Sequence, residues 1–294
     1  MNKGSKLVAL ALGASVLFAS VFTSCASTNV ASKDKEILVV SFGTSYNNSR
    51  DLTIGGIENA IAKAFPKYTV ARAFTADTII GILKERDNLS IDNVDEALER
   101  AANNGVKTLV VQPTHLMNGF EYTDLQKTLA KYESRFEKVT LAQPLLTSDD
   151  DFSRVADAIA AKTKTYDDGK TAIVFMGHGT EAESNGVYAK MQEVLASKGF
   201  ANYYVGTVEA TPSVTDIRKT LHEKATYSKV VLLPLMVVAG DHANNDMAGD
   251  EDDSWKTIFK NAGYDVECVL EGLGQDATIQ QIYVDHTKAS VDSL

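Results

Sequence analysis

The chain has few of the residues from which common metal and nucleotide motifs are built. Its 294 residues include two cysteines and five histidines. It contains no Cys-x-x-Cys pair and no Cys/His cluster, which excludes a zinc-finger-type site. Walker A and Gly-x-Gly-x-x-Gly motifs are also absent, so we expect no nucleotide cofactor. The Gly-x-Ser-x-Gly signature of a serine hydrolase does not occur either.

Basic residues are outnumbered, with 29 Lys and Arg against 39 Asp and Glu. The net charge is −10, which argues against a nucleic-acid partner because phosphate contacts need a basic face. Hydrophobic residues make up 44% of the chain, an ordinary share for a globular protein with a buried core. The length allows two modest domains or one large one.

The N-terminal 25 residues are typical of a secretory signal peptide. Lys3 and Lys6 precede an apolar run over 7–22, and Thr-Ser-Cys25 closes it. This ending resembles a bacterial lipobox, in which Cys25 is acylated and becomes the mature N-terminus. The alternative is an uncleaved membrane anchor, but the run falls short of the roughly 20 residues that span a bilayer. We expect an exported, periplasmic lipoprotein, with a small polar tether over 26–35.

Short β-branched runs then alternate with amphipathic stretches, the pattern of βαβ units around parallel sheets. The predicted strands are 37–41, 68–74, 106–112, 139–143, 172–176, 203–208, 229–235 and 265–270. The predicted helices are 52–65, 94–103, 186–197, 214–223 and 277–290.

The two halves of the chain echo each other weakly. Ser-Phe-Gly-Thr44 and Gly-His-Gly-Thr180 each close a first strand, and Pro113 and Pro234 are each followed by glycine six residues later. We therefore predict an α/β fold of two similar lobes, 36–150 and 151–294, each a parallel sheet flanked by helices. Ligands of such sheets bind beyond the carboxyl ends of the strands, so the active site should lie in a cleft between the lobes.

Three candidate metal ligands follow three successive strands of the second half. His178 lies between two glycines, Glu209 ends the next strand, and His242 follows a third. The intervals are 31 residues (178 to 209) and 33 residues (209 to 242), about one βαβ repeat each. Two imidazoles and a carboxylate can bind a divalent first-row cation and leave positions open. His115 occupies the comparable edge of the first half and could line the opposite wall or have a structural role.

Other chemically active residues are expected to be structural. His222 and His286 fall on predicted helices and should face solvent. The acidic run 246–253 precedes a helix that should begin at Trp255, so it is interpreted as a solvated helix start. The alternative is a funnel that concentrates cations near the metal site. Cys268, in a predicted strand, should be an inert core thiol.

Four motifs together resemble the anaerobic, single-subunit sirohydrochlorin cobaltochelatases. They are Val-Val-Ser-Phe-Gly-Thr-Ser (39–45), Val-Gln-Pro-Thr-His-Leu-Met-Asn-Gly (111–119), Met-Gly-His-Gly-Thr (176–180) and Ala-Gly-Asp-His-Ala-Asn-Asn-Asp-Met-Ala-Gly-Asp (239–250). The resemblance covers about residues 36–290. It implies a two-lobed chelatase fold, ATP-independent insertion of Co²⁺ into sirohydrochlorin, and metal ligation by His178, Glu209 and His242. The signal segment matches a periplasmic subset of that family.

The resemblance also implies a mechanism. A free-base tetrapyrrole loses two pyrrole protons when it gains M²⁺, and imidazole can both ligate the cation and accept a proton near neutral pH. His178 and His242 are therefore the candidate catalytic residues. Phe42, Met117 and Met176, with His115, are candidates for the cleft walls that press on the macrocycle.

The sequence alone leaves several alternatives open. Fe²⁺ or Ni²⁺ could replace Co²⁺, since this ligand set discriminates poorly among first-row ions. The chain could instead be a lipid-anchored tetrapyrrole or metal carrier without turnover, or an extracytoplasmic substrate-binding protein. The sequence is compatible with a homo-oligomer as well as with a monomer.

Overall fold

Residues 31–294, the part of the chain that the computed structural model describes, form two four-stranded parallel sheets. Their strand orders are β2-β1-β3-β4 and β6-β5-β7-β8. The strands are β1 (Ser32–Ser41), β2 (Tyr68–Phe74), β3 (Thr108–Pro113), β4 (Lys138–Leu141), β5 (Thr171–Gly177), β6 (Tyr203–Thr207), β7 (Lys229–Pro234) and β8 (Asp265–Cys268). The predicted signal peptide, its Cys25 and tether residues 26–30 lie outside the described residues.

Helices connect the strands of both sheets. They are α1 (Asn47–Leu52), α2 (Ile54–Ala64), α3 (Asp77–Asp87), α4 (Val94–Asn103), α5 (Phe120–Ala130), α6 (Asp149–Thr163), α7 (Gly186–Ser197), α8 (Val214–Lys224), α9 (Trp255–Asn261) and α10 (Ala277–Asp292). Within residues 31–294, no helix is both long and apolar enough to cross a bilayer.

The prediction of two similar parallel-sheet lobes is confirmed, and the echo between the halves extends to strand register. Pro113 at the end of β3 pairs with Val40, and Pro234 at the end of β7 pairs with Met176. Each sheet also places its first strand between its second and third. The two lobes therefore present equivalent loops at their carboxyl edges.

The start of β1 differs from the predicted tether. The strand begins at Ser32, so residues 32–35 belong to the sheet, where Lys35 pairs with Thr108. The strand is buried from Glu36 onward, and its apolar run from Ile37 was the part recognisable from sequence.

One apolar core joins the two sheets. It takes Ile37 and Val110 from the first sheet, Ile173 and Val231 from the second, and buried side chains of α6, α7 and α10. Helix α10 also contacts α2, α6 and β3. The division at residue 150 stays a prediction, but the last helix of the chain packs on the first sheet. That contact fixes the two carboxyl edges relative to each other.

Candidate metal centre

His178, Glu209 and His242 lie together at the carboxyl edge of the second sheet. Each offers one ligand atom, and the three atoms lie within 4.8 Å of one another. His178 Nδ1 is 3.7 Å from Glu209 Oε2. The two imidazole rings meet edge to face, with centroids 4.5 Å apart and planes at 84°.

The glycines beside His178 are required by their surroundings. Gly179 has φ +91°, a conformation that side chains rarely adopt, and a Cβ there would lie 2.8 Å from the Ala210 nitrogen. A Cβ on Gly177 would lie 2.1 Å from the Tyr188 ring. The loop can therefore turn tightly after β5 and still leave the imidazole of His178 46% exposed.

The loops after β5 and β6 continue the pairing of their strands. The Val208 N–H donates to Gly177 O at 3.0 Å, and the Glu209 N–H donates to His178 O at 2.9 Å. Because these bonds fix the two backbones side by side, His178 and Glu209 project from adjacent positions. The Glu209 side chain is 55% exposed and can reorient around a ligand.

His242 reaches the same place from a longer loop after β7. It directly precedes one turn of π-helix, Ala243–Met247, and its side chain is 34% exposed. The His242 Nδ1 lies 2.7 Å from Asp246 Oδ2. The His178 Nδ1 donates to the Gly179 carbonyl at 2.8 Å. Both rings are thus oriented by hydrogen bonds on their Nδ1 side.

This arrangement suits transient binding of a divalent cation. Two imidazoles and one carboxylate form a mixed N/N/O set that first-row ions accept, and three ligands leave coordination positions free. All three side chains are open to solvent, so a large second ligand can approach the ion. A fully enclosed four-ligand site would hold a metal structurally instead.

The residues predicted to line the cleft wall differ in their exposure to solvent. Phe42 follows β1 and is 52% exposed, and by register it holds in the first lobe the place of His178 in the second. Met117 is half-buried against the shared core. Met176 is fully buried with Ala172 and Val174, on the sheet face covered by Trp255. Its assignment to the cleft wall is therefore wrong.

His115 follows β3, at the edge of the first sheet. Both of its ring nitrogens are buried and have no hydrogen-bond partner among the described residues. Burial lowers the pKa of His115 to about 4, against an opposing effect of the Glu121 carboxylate. This imidazole is neutral at physiological pH.

Three further residues near the centre were not singled out from sequence. Asp246 bonds His242, and Tyr188 accepts a hydrogen bond from the Gly179 N–H at 3.2 Å through its buried hydroxyl. Glu121 lies two residues after Gly119, as His242 lies two residues after Gly240. Burial is the main cause of the raised pKa of Tyr188, and the negative charge of Glu121 raises that pKa further. The echo between the halves is the signal that could have identified Glu121.

The other residues considered from sequence are not among the three candidate ligands, and each has surroundings of its own. His222 is exposed, as predicted. His286 is not solvated: its Nε2 lies 3.0 Å from the buried Asp151 carboxylate, because α10 packs back on α6. Cys268 lies in β8, where burial raises the pKa of its thiol. The acidic run is exposed over 250–253 and leads into α9 at Trp255, as predicted.

Known proteins place the chain in a family. A sequence profile described as cobalt chelatase (CbiK) matches residues 35–292. The chain belongs to the cobalt chelatase family. One relative, a sirohydrochlorin cobaltochelatase of Salmonella typhimurium, is 36% identical over 252 residues, which cover 86% of this chain and 94% of that protein. The sirohydrochlorin cobaltochelatase CbiKC of Nitratidesulfovibrio vulgaris is 29% identical over 262 residues, 88% of this chain and 92% of the relative.

Solved chelatases share the fold of this cobalt chelatase family member. SirB from Bacillus subtilis with Fe³⁺ aligns with a TM-score of 0.62 at 12% identity, covering 88% of this chain and 97% of its own. The sirohydrochlorin chelatase SirB from Bacillus subtilis subspecies spizizenii, in complex with cobalt, aligns at 0.59 and 12% identity, with 88% and 96% covered. At such low identity these likenesses concern the fold alone.

Proposed function

We propose that the chain is a sirohydrochlorin cobaltochelatase, which inserts Co²⁺ into the tetrapyrrole without a nucleotide. The observation that carries the proposal is the convergence of His178, Glu209 and His242 within 4.8 Å at one sheet edge. The cobalt chelatase family and the 36% identity to a sirohydrochlorin cobaltochelatase supply the reaction.

The proposed roles follow from the chemistry of the three side chains. Both histidines and Glu209 hold the incoming Co²⁺ at the open side of the site. The ion then exchanges these ligands for the pyrrole nitrogens. Two pyrrole N–H bonds break, four Co–N bonds to the ring form in place of the bonds to the protein, and the released imidazoles accept the two protons and pass them to water. No oxidation or reduction is required.

The macrocycle needs an apolar surface as well as the ion. Phe42, half-exposed at the position of the first sheet that is equivalent to His178, is the proposed contact for its face, with Met117 and His115 as further candidates. Contacts that bind a bent macrocycle more tightly than a flat one would accelerate insertion, because bending turns the pyrrole nitrogens toward the incoming ion.

Turnover with purified full chain tests the function. Sirohydrochlorin and Co²⁺ are mixed under anaerobic conditions, and the absorption of the metallated ring is followed. We expect the double variant His178→Ala/His242→Ala to lose about 100-fold or more of the rate, because both ligands and proton acceptors are gone. His222→Ala, on the exposed face of α8, should retain the parent rate.

Other outcomes would separate the alternatives. Stoichiometric binding of sirohydrochlorin without metallation by the parent would indicate a carrier. Parallel reactions with Fe²⁺ and Ni²⁺ would show whether Co²⁺ is preferred. A double variant as fast as the parent would remove His178 and His242 from the mechanism.

Export and a lipid anchor on Cys25 belong to the same proposal. They are supported by Lys3, Lys6, the apolar run 7–22 and the lipobox-like ending. Expressed in a bacterium with labelled palmitate, the full chain should carry the label and sediment with membranes, whereas Cys25→Ser should not carry it. Label retained in Cys25→Ser would contradict acylation at this residue.

A further inference from the structure

The hydrogen bond between His242 and Asp246 determines which ring nitrogen is free. An ionised carboxylate oxygen can only accept, so Nδ1 of His242, 2.7 Å from Asp246 Oδ2, carries the hydrogen. In a neutral imidazole the lone pair is then on Nε2. His178 reaches the same tautomer differently, since its Nδ1 donates to the Gly179 carbonyl.

The two histidines therefore differ in what orients them. His178 is held by its own backbone, in a loop that Gly177 and Gly179 define. His242 is held by a side chain four residues further along, which the π-helical turn brings to the ring. A single side-chain substitution, at Asp246, can therefore remove the hydrogen bond that orients His242, whereas the bond that orients His178 is made by the backbone.

Asp246 is not what holds the turn together. The Asn244 side chain donates to the Gly240 carbonyl at 2.7 Å, and the Asn245 side chain donates to Asp241 Oδ1 at 2.7 Å. The Ala248 N–H donates to the Ala243 carbonyl. The Asp246 side chain itself is 43% exposed and its carboxylate faces the ring. A change at Asp246 should leave the turn intact and act on His242.

We propose that Asp246 is a positioning residue: it fixes His242 in the Nδ1–H tautomer so that Nε2 is presented to Co²⁺. The inference rests on the proposed function for the identity of the ion. A carboxylate behind a ligating imidazole fixes the ring orientation and makes the free nitrogen a stronger donor, and loss of such a partner lowers metal affinity or activity about 10- to 100-fold.

Three readouts on the full chain test the assignment. The first is the tautomer of His242 in the metal-free protein, from long-range ¹H–¹⁵N NMR of histidine-labelled protein at one mildly alkaline pH. The second is Co²⁺ affinity by titration, and the third is the split between kcat and KM for Co²⁺. Asp246→Ala should move His242 away from the Nδ1–H form and weaken Co²⁺ binding about 10- to 100-fold. Asp246→Glu, which keeps a carboxylate, should recover part of the loss.

Asp253→Asn is the matched control. It removes one negative charge from the same acidic run at an exposed position, without touching His242. If both variants weaken Co²⁺ binding equally and added salt abolishes the difference from the parent, the run acts as a cation funnel and the positioning role is overturned. An unchanged tautomer and unchanged affinity in Asp246→Ala would also overturn it.

The positioning role of Asp246 and the chelatase activity can be disproved independently of each other. Tautomer and Co²⁺ affinity are measured without sirohydrochlorin. If the parent binds Co²⁺ in an Asp246-dependent manner but never metallates the macrocycle, the positioning role stands and the chelatase assignment fails. Circular dichroism of each variant checks that the fold is retained.

Discussion

At the scale of single residues, His115 carries the clearest dependence on pH. Burial lowers its pKa from 6.5 to about 4, so the native state holds it neutral where the unfolded chain protonates it. Between those two values the unfolded state binds the extra proton, and stability therefore falls as pH drops through this window. A shift of this size corresponds to about 3 kcal/mol, which is lost in full only once the pH lies below both values.

His115→Gln should flatten that part of the stability profile. Urea unfolding at pH 7, 5.5 and 4.5 measures the free energy of unfolding, and the parent should lose about 2 kcal/mol more across the range than the variant. His222→Gln, at an exposed position on α8, should keep the slope of the parent. Equal slopes for His115→Gln and the parent would contradict the buried neutral imidazole.

Residues at strand ends were predictable, whereas residues that act through neighbours were not. His178, Glu209 and His242 could be selected because parallel strands bring their carboxyl ends to one edge. Asp246 could not, because its contact depends on a π-helical turn that no sequence pattern specified. Met176 was misplaced because every residue of β5 is buried, so no alternation of polar and apolar residues marks which face it occupies.

At the scale of elements, α6 depends on the network around Asp151. The Ser148 N–H and hydroxyl donate to Asp151 Oδ2 at 2.7 and 2.8 Å, and the His286 Nε2 lies 3.0 Å from Asp151 Oδ1. Burial alone would raise the pKa of this carboxyl, but the bonds from Ser148 and the His286 partner outweigh it and lower the pKa. The stabilisation is present above the unfolded pKa and is lost as pH falls through the lowered value.

Asp151→Ala should therefore cost far more than the loss of another carboxylate in the same turn. We expect a decrease of about 2 to 3 kcal/mol in the free energy of unfolding, because a cap and a bond to His286 disappear together. Asp150→Ala removes an exposed carboxylate, 3.8 Å from Arg154, and should cost less than about 0.5 kcal/mol. Denaturant unfolding at pH 7 measures both, and equal losses would show that the buried network contributes nothing.

Elements with strong periodicity were recognisable, and those with competing signals were not. Helices α4 and α7 begin and end at the predicted residues, since each has a repeating apolar face. Helix α6 was missed because its Ser-Asp-Asp-Asp start was taken for a lobe boundary. The same four residues are in fact a capping box, with Ser148 and Asp151 bonding each other's backbone N–H groups.

At the scale of the whole molecule, the position of α10 links the two lobes. The buried Tyr283 hydroxyl donates to the Thr114 carbonyl at 2.9 Å, and the Thr287 hydroxyl donates to Gln112 Oε1 at 2.8 Å. The two acceptors lie on either side of Pro113, the last residue of β3, and Thr114 directly precedes His115. The last helix of the chain thus holds the edge of the first sheet that faces the metal-binding loops.

The sequence by itself determined the parallel strands, their alternation with helices, the twofold echo and the three candidate ligands. These follow from local physics: apolar runs of strand length, glycines where the chain must turn, and chemically active residues directly after strands. Tertiary structure alone decided that α10 returns to the first sheet, that His286 pairs with Asp151, that Met176 faces the core and that Asp246 orients His242. Each of these depends on surfaces distant in sequence, or on one irregular turn, whose packing no local pattern encodes.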